Sequence, residues 1–455
     1  MYSLSQWSAR AYSTACVLLL VPGLYGCLGT NTPDERLQDV VEITTKFAQT
    51  MIDCPERIWA DYSWNGFKVA LVYPSSENSW VWDASSNELA EIGNHELPRP
   101  SLTSGFAFFE MDGQPTMSLN MEHDQENDDV FRLGVHEFFH DQGQIGWNRG
   151  AMGRGTPYPV LAEPRLYRRM MLDNLKRYLE YADPDDLGRV RYWYELWADD
   201  PLELSLTTDQ IEGTAFYMEF FASVLAERGC WVSDAELRLA AIERAKSVFG
   251  FSVSGEKFQL DLEGYDIGGL AALILRFDRK PLREWNQEIA EGETPLTVLL
   301  REVAPKIDEG PPQHLVELFG ETAQRVNEEL GSLVDVAIDS WPDASFIRLS
   351  SPIDYLMSNF SPSAFIYSRV LETELFPLGR DHPFLSPTSD YILREGAVVR
   401  ADWIPACEFF GFMNLVPEAS IHVVDGVAEL ASGTVSGRLA GQMKDEAGFR
   451  YFCVQ

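Results

Sequence analysis

Histidine is scarce in this chain, with 7 among 455 residues, so a close pairing of two of them is informative. Cysteine is as scarce, at 6, and no two of them form a Cys-x-x-Cys pair, which argues against a cysteine-based zinc site. Beyond the first thirty residues, no stretch approaches the ~18 uninterrupted apolar residues that a membrane-crossing helix needs. Positive charge is in short supply: 36 Lys and Arg stand against 70 Asp and Glu, a formal net charge of −34. Phosphate would be repelled rather than neutralised, so nucleic acid is excluded as a partner. Acidity of this size favours solubility and suits an extracellular or salty setting, where ions screen self-repulsion. There is no internal repeat and no low-complexity segment.

What is present is ample material for burial, with 45% hydrophobic and 12% aromatic residues. A chain of 455 residues exceeds one core and predicts two or three domains. Residues 1–26 carry a single charge, Arg10, ahead of the apolar run from Cys16 to Val21, the pattern of a secretory signal. Leu24-Tyr25-Gly26-Cys27 resembles a bacterial lipobox, although Tyr25 is larger than the residue usual there. The expectation is an exported protein held to a membrane surface by a lipid on Cys27: an outer-membrane or cell-surface lipoprotein, or a periplasmic protein if cleavage occurs without lipidation. Lipidation would leave Cys54, Cys230, Cys407 and Cys453, enough for two disulfides in any of three pairings.

The chain divides by pattern into an α+β protein. Residues 27–50 read as a tether passing into a first helix. A region spanning 51–338 follows, β-rich over 54–121 and helical over 126–338, and residues 339–455 form a β-rich C-terminal domain. In the first β-rich part, short apolar runs such as Phe67 to Tyr73 are broken by Pro74 and Gly93. Thr116 to Met121 alternates polar and apolar residues, predicting a half-exposed strand. Helices are expected from about Asp128 to Gly143, Pro164 to Ala182 and Asp209 to Gly229, then over 234–247, 266–276, 294–304 and 313–338. Near the end, Ile421 to Leu430 reads as a hairpin with an Asp425-Gly426 turn.

The informative stretch is His136-Glu137-Phe138-Phe139-His140. Residues four apart lie on one face of a helix, so His136 and His140 can offer two imidazole nitrogens to one metal ion. Glu137 sits about 100° round the helix, near enough to act on a metal-activated water without being a ligand. With so few histidines the pattern arises by chance in roughly one such chain per hundred. Phe138 and Phe139 give the segment a buried side, against the reading of two solvated surface histidines.

Two histidines hold zinc poorly, and catalytic sites have three protein ligands with one position open. Glu212, in Glu212-Gly213-Thr214-Ala215, is the preferred third ligand, because Gly213 and Ala215 allow close helix approach. Its competing role is a capping box with Asp209. Glu163, directly before Pro164, is the alternative ligand, with a helix-start role as its plainer reading. Asp141, Glu195 and Glu219 are available to support the histidines, and Tyr217 and Tyr265 are possible donors to an oxyanion.

With these motifs in order, the chain over residues ~55–300 resembles the gluzincin-type zinc metallopeptidases, specifically secreted bacterial members with HExxH followed by a Glu-Gly-x-Ala helix. The resemblance implies zinc held by His136, His140 and Glu212, Glu137 as general base, and a peptide or protein substrate. It also implies that the strand at Met117–Met121 lies along the cleft and pairs with substrate backbone. Two other readings stay open: a non-enzymatic surface lipoprotein whose zinc-stabilised peptidase-like fold binds a partner or glycan, and a metal hydrolase acting on another acyl substrate.

Overall fold

A computed structural model describes residues 33–455 except 123–125, 149–155, 206, 251–254, 256–257, 259, 279–280, 353–365, 372, 378–381, 387–388, 394–396, 405, 408, 425–426, 432–434 and 455. The expected signal segment and Cys27 lie outside the described residues, as does the Asp425-Gly426 turn.

Helix α1 (Pro33–Phe47) runs into a π-helical turn, Ala48–Ile52. A five-stranded sheet follows, built from β1 (Lys68–Val72), β2 (Asn78–Asp83), β3 (Glu88–Gly93), β4 (Phe106–Met111) and β5 (Gln114–Asn120), with the short helix α2 (Arg99–Thr103) between β3 and β4. Its order is β3-β2-β1-β5-β4, with β5 parallel to β1 and antiparallel to β4. The expectation of a half-exposed strand at Thr116–Met121 is corrected here, since Thr116 to Leu119 are all buried. The hydroxyls that suggested a wet face are satisfied locally, Ser118 Oγ donating to Ala107 O at 3.3 Å and Thr116 Oγ1 to Gln114 O at 3.1 Å. Because β5 is bonded on both sides, its backbone has no free edge to offer; the edge strands of this sheet are β3 and β4.

The helical block comprises α3 (Asn127–Phe138), α4 (Ala162–Tyr181), α5 (Pro184–Ala198), α6 (Pro201–Ser205), α7 (Ile211–Arg228), α8 (Asp234–Val248), α9 (Leu260–Asp278), α10 (Leu282–Ala290), α11 (Pro295–Leu300) and α12 (Gln313–Ser340). At its centre lies α7, buried continuously from Ile211 to Leu225, its mostly apolar surface interrupted by Glu212, Thr214, Glu219 and Ser223. Helix α9 packs against it at very close range: a Cβ on Gly213 would stand 2.6 Å from Gly268 Cα and 2.8 Å from Gly264 O. The close approach expected at Gly213 is therefore with α9 rather than with the helix carrying the histidines. That helix, α3, achieves its own close contact through Gly134, whose missing side chain makes room for Phe47 and Leu119.

The C-terminal strands are β7 (Phe346–Pro352), β8 (Ile366–Ser368), β9 (Thr373–Pro377), β10 (His382–Ser386), β11 (Ser389–Leu393), β12 (Ala397–Ile404), β13 (Phe409–Pro417), β14 (Ile421–Val424), β15 (Val427–Ala431), β16 (Val435–Glu446) and β17 (Phe449–Val454). The expected hairpin pairs Val424 with Val427. These strands join one large sheet, whose far edge is the short β6 (Thr156–Tyr158), contributed from between α3 and α4 and pairing in parallel with β8. Helix α12 spans the expected 338/339 boundary. Its Asn327 side chain brackets the backbone of Val160, and its Asp335 accepts from Tyr158 Oη at 2.6 Å.

The four remaining cysteines pair as Cys54–Cys230 and Cys407–Cys453. Disulfides form and persist in oxidising compartments, which agrees with export. Among the described residues no helix is long and apolar enough to cross a membrane.

Candidate metal centre

Helices α3 and α7 run antiparallel, and each turns a polar stripe toward the other. On α3 and the π-helical turn that continues it, Phe139–Gly143, the stripe is Asp128, Arg132, His136 and His140, one residue in every four. On α7 it is Glu212, Glu219 and Ser223. The rungs follow in order. Ser223 Oγ donates to Asp128 at 3.1 Å, and Arg132 Nη2 donates to Glu219 at 2.8 Å. His136 Nδ1 lies 3.0 Å from Glu219 Oε2, and the two histidines meet Glu212 at the end of the ladder.

There, His136 Nε2 and His140 Nε2 are 3.0 Å apart, and Glu212 Oε2 is 3.4 Å from the first and 3.2 Å from the second. A tetrahedral zinc with ligands at about 2.0–2.1 Å spaces its donor atoms by about 3.3 Å. The triangle is of that size.

Hydrogen bonding fixes what these atoms present. Gln144 Nε2 donates to Ile211 O at 2.8 Å and to Thr214 Oγ1 at 2.9 Å, so its Oε1 is the atom facing His140 Nδ1 at 2.8 Å. That oxygen only accepts, which places the His140 proton on Nδ1. Glu219 does the same for His136, although the angle departs from a good hydrogen bond; no other partner reaches this nitrogen among the described residues. Both Nε2 lone pairs therefore point at the Glu212 carboxylate oxygen. Three acceptors facing one another repel, and a divalent cation at their centre relieves the repulsion. Two imidazoles and one carboxylate are also a donor set that catalytic zinc uses. The residues fit the ion.

Glu219 is buried, which disfavours its charged form, but the Arg132 guanidinium and the His136 contact outweigh burial and hold its pKa below the ordinary carboxylate value. An ionised Glu219 is the partner that holds an imidazole Nδ1–H in place.

Glu137 is half-buried beside the cluster and has no hydrogen-bond or ion-pair partner among the described residues. Phe138 and Phe139 are fully buried: Phe138 packs on Trp64 (ring centroids 4.3 Å apart) and Phe139 on Trp59 (5.1 Å), so the face opposite the histidines anchors α3 in the core. Tyr265, from α9, lies parallel to the His136 ring with centroids 5.6 Å apart.

The competing roles are resolved by who else claims each group. Asp209 does not form a capping box with Glu212, because Arg168 binds its carboxylate through both terminal nitrogens. Glu163 stands exposed in the first turn of α4, outside the cluster. Of the proposed supports, Glu219 reaches a histidine, whereas Asp141 accepts from Gln142 and Glu195 pairs with Arg191. Tyr217 Oη is buried and donates to Ile58 O at 2.9 Å, which spends its hydroxyl in the core. Arg132, Gln144 and Thr214 went unnoticed in the sequence. The four-residue repeat from Asp128 to His140 was a usable signal for Arg132; nothing local marks Gln144.

Compared with protein-family models, curated proteins and solved structures, the chain matches none.

Proposed function

We propose that the chain is a zinc-dependent, gluzincin-like metallopeptidase. The observation that carries the reading is the triangle of His136 Nε2, His140 Nε2 and Glu212 Oε2, with edges of 3.0 to 3.4 Å, beside a half-buried Glu137 that has no partner among the described residues.

Bound zinc would supply Lewis acidity, lowering the pKa of a water in the open position toward about 7 and polarising the scissile carbonyl. His136, His140 and Glu212 hold the ion, and Glu219 and Gln144 keep the two Nε2 atoms aimed. Glu137 takes the proton of the attacking water and passes it to the leaving amine nitrogen, a role worth on the order of 10²–10⁴ in rate. Tyr265, whose ring stacks on His136, is the tyrosine we assign as donor to the developing oxyanion. An extended peptide adding to this sheet would pair with an edge strand, such as β4 beside β5, and not with β5 itself.

The two disulfides and the N-terminal pattern support action outside the cytoplasm, as an exported protein carried on a membrane surface by lipidated Cys27.

The test is metal content by mass spectrometry together with hydrolysis of a peptide library. Purified protein should carry about one zinc, lost in His136→Ala and Glu212→Ala. Glu137→Gln should keep the zinc and lose at least about a hundredfold in rate. A folded parent that takes up no zinc overturns the reading, as does undiminished hydrolysis by Glu137→Gln.

A further inference from the structure

The strand β6, the turn after β8 and a chain of buried charges together link the C-terminal sheet to the metal centre. Arg369 follows β8. Its backbone N–H donates to Tyr158 O at 2.8 Å and its Nε to Pro159 O at 3.2 Å, which holds β6 and the residue after it on the edge of the C-terminal sheet. Its two terminal nitrogens reach into the helical block, Nη1 to Asp200 at 2.8 Å and Nη2 to Glu203 at 3.0 Å. The other oxygen of Glu203 pairs with Arg165, and Arg165 pairs with Glu263. Glu263 Oε2 lies 3.6 Å from Arg168 Nε, and Arg168 grips Asp209 with both terminal nitrogens.

From Glu203 to Asp209 every member of this chain is at most 4% exposed. Asp209 stands one helical turn before Glu212, and Thr208 O accepts from Glu212 N at 2.9 Å. Glu263 stands two residues before Tyr265, which stacks on His136. The same charges thus hold the start of α7 and the segment of α9 that lies over the histidines.

We propose that Arg369 is a positioning residue of the metal centre: supplied by the C-terminal sheet, it closes a buried ion chain that fixes the start of α7 and the Glu212 carboxylate. The proposal rests on the zinc reading of His136, His140 and Glu212, and it gives the C-terminal sheet a part in the site although the three ligands all come from the helical block. Without Arg369, Glu203 is left with Arg165, which it shares with Glu263, so Glu263 leans more on its 3.6 Å contact with Arg168. A shift of Glu263 is passed on through its 3.6 Å contact with Arg168, and Arg168 carries Asp209 at the end of the chain. Removing a group that orients a ligand lowers metal affinity about 10–100-fold, and a group acting through several links belongs at the lower end of that range.

The experiment compares the full chain with Arg369→Ala and Arg369→Lys. Zinc affinity is read by chelator competition, the visible spectrum is recorded after cobalt replaces zinc, and thermal melts establish that each variant is folded. Arg369→Ala should bind zinc about tenfold more weakly, with shifted cobalt bands that report an altered ligand arrangement, and Arg369→Lys should fall between it and the parent. A merely structural role would lower the melting temperature and leave the cobalt bands of the folded protein unmoved. Parental affinity and spectrum in folded Arg369→Ala overturn the proposal. Should that variant not fold, the same result in Arg369→Lys overturns it. A parent that binds no zinc defeats the metal reading itself, a failure distinct from the others.

Discussion

Glu219→Ala probes the ladder between α3 and α7 at its middle rung. The substitution removes a carboxylate that accepts from Arg132 at 2.8 Å and faces His136 Nδ1 at 3.0 Å. Two separable losses follow. His136 becomes free to rotate or to change tautomer, and loss of such a partner weakens metal binding about 10–100-fold, or about 1.4–2.8 kcal/mol. Arg132 loses its buried partner, which costs about 3–5 kcal/mol for a wholly buried pair. The Arg132 side chain is 19% exposed and keeps Asp129 at 3.5 Å, so about 1–3 kcal/mol is the expected loss in the metal-free protein. Glu219→Gln keeps an oxygen for His136 Nδ1–H while losing the charge, so it should recover most of the metal affinity and little of the stability. Zinc affinity by chelator competition at neutral pH reads the first effect, and urea unfolding of metal-free protein reads the second. Unchanged zinc affinity in a folded Glu219→Ala would refute the idea that this carboxylate aims His136.

Gly213→Ala puts a Cβ 2.6 Å from Gly268 Cα; it should destabilise the protein by about 1–3 kcal/mol and weaken zinc binding by pushing α9 away, as urea unfolding and metal titration would reveal. The disulfide Cys54–Cys230 closes 176 residues and Cys407–Cys453 closes 46, for which chain entropy gives up to about 5 and about 4 kcal/mol. Replacing the first pair by serine should therefore lower the melting temperature more than replacing the second. Burial, with the nearby Asp335 carboxylate, pushes the Tyr158 hydroxyl up to about 12. A raised pKa means that its stabilising contribution is whole below pH ~10 and is lost as pH rises through about 12. The stability gap between parent and Tyr158→Phe should accordingly close over that window, and a gap that stays constant would count against the assigned bond.

What the sequence disclosed about the site was mostly local. His136, Glu137 and His140 share one helix, and a four-residue spacing carries its geometry with it. Glu212 was harder, because a capping role and a ligand role ask for the same carboxylate; only the capture of Asp209 by Arg168, 41 residues away in the chain, removes the capping box. Gln144 was invisible, since its importance comes from Ile211 and Thr214 on another helix. The same distinction runs through the fold. The helix expected over Pro164 to Ala182 stops just before Asp183-Pro184, and that pair starts the next: Pro184 occupies its first turn and Asp183 caps it by accepting from Asp185 N at 3.0 Å. Strand β6 lies in a run rich in glycine and proline and is a strand only because β8 pairs with it. The polar alternation of β5 looked solvent-facing because buried hydroxyls bonded to nearby carbonyls cannot be told from wet ones by pattern.

That three-residue strand also bears on the order in which the molecule matures. Thr156 pairs with Ile366, so the contact closes about two hundred residues of intervening chain, with few hydrogen bonds to offset the lost freedom. Pairings of this kind form late, after local helices and hairpins. The metal helix can coil early, with its two histidines already four residues apart. The segment that follows it acquires its final course only when the C-terminal sheet has folded to receive it. A nascent or truncated chain would therefore hold the motif before it holds the finished site, and the activity proposed above would be among the last properties to appear during folding.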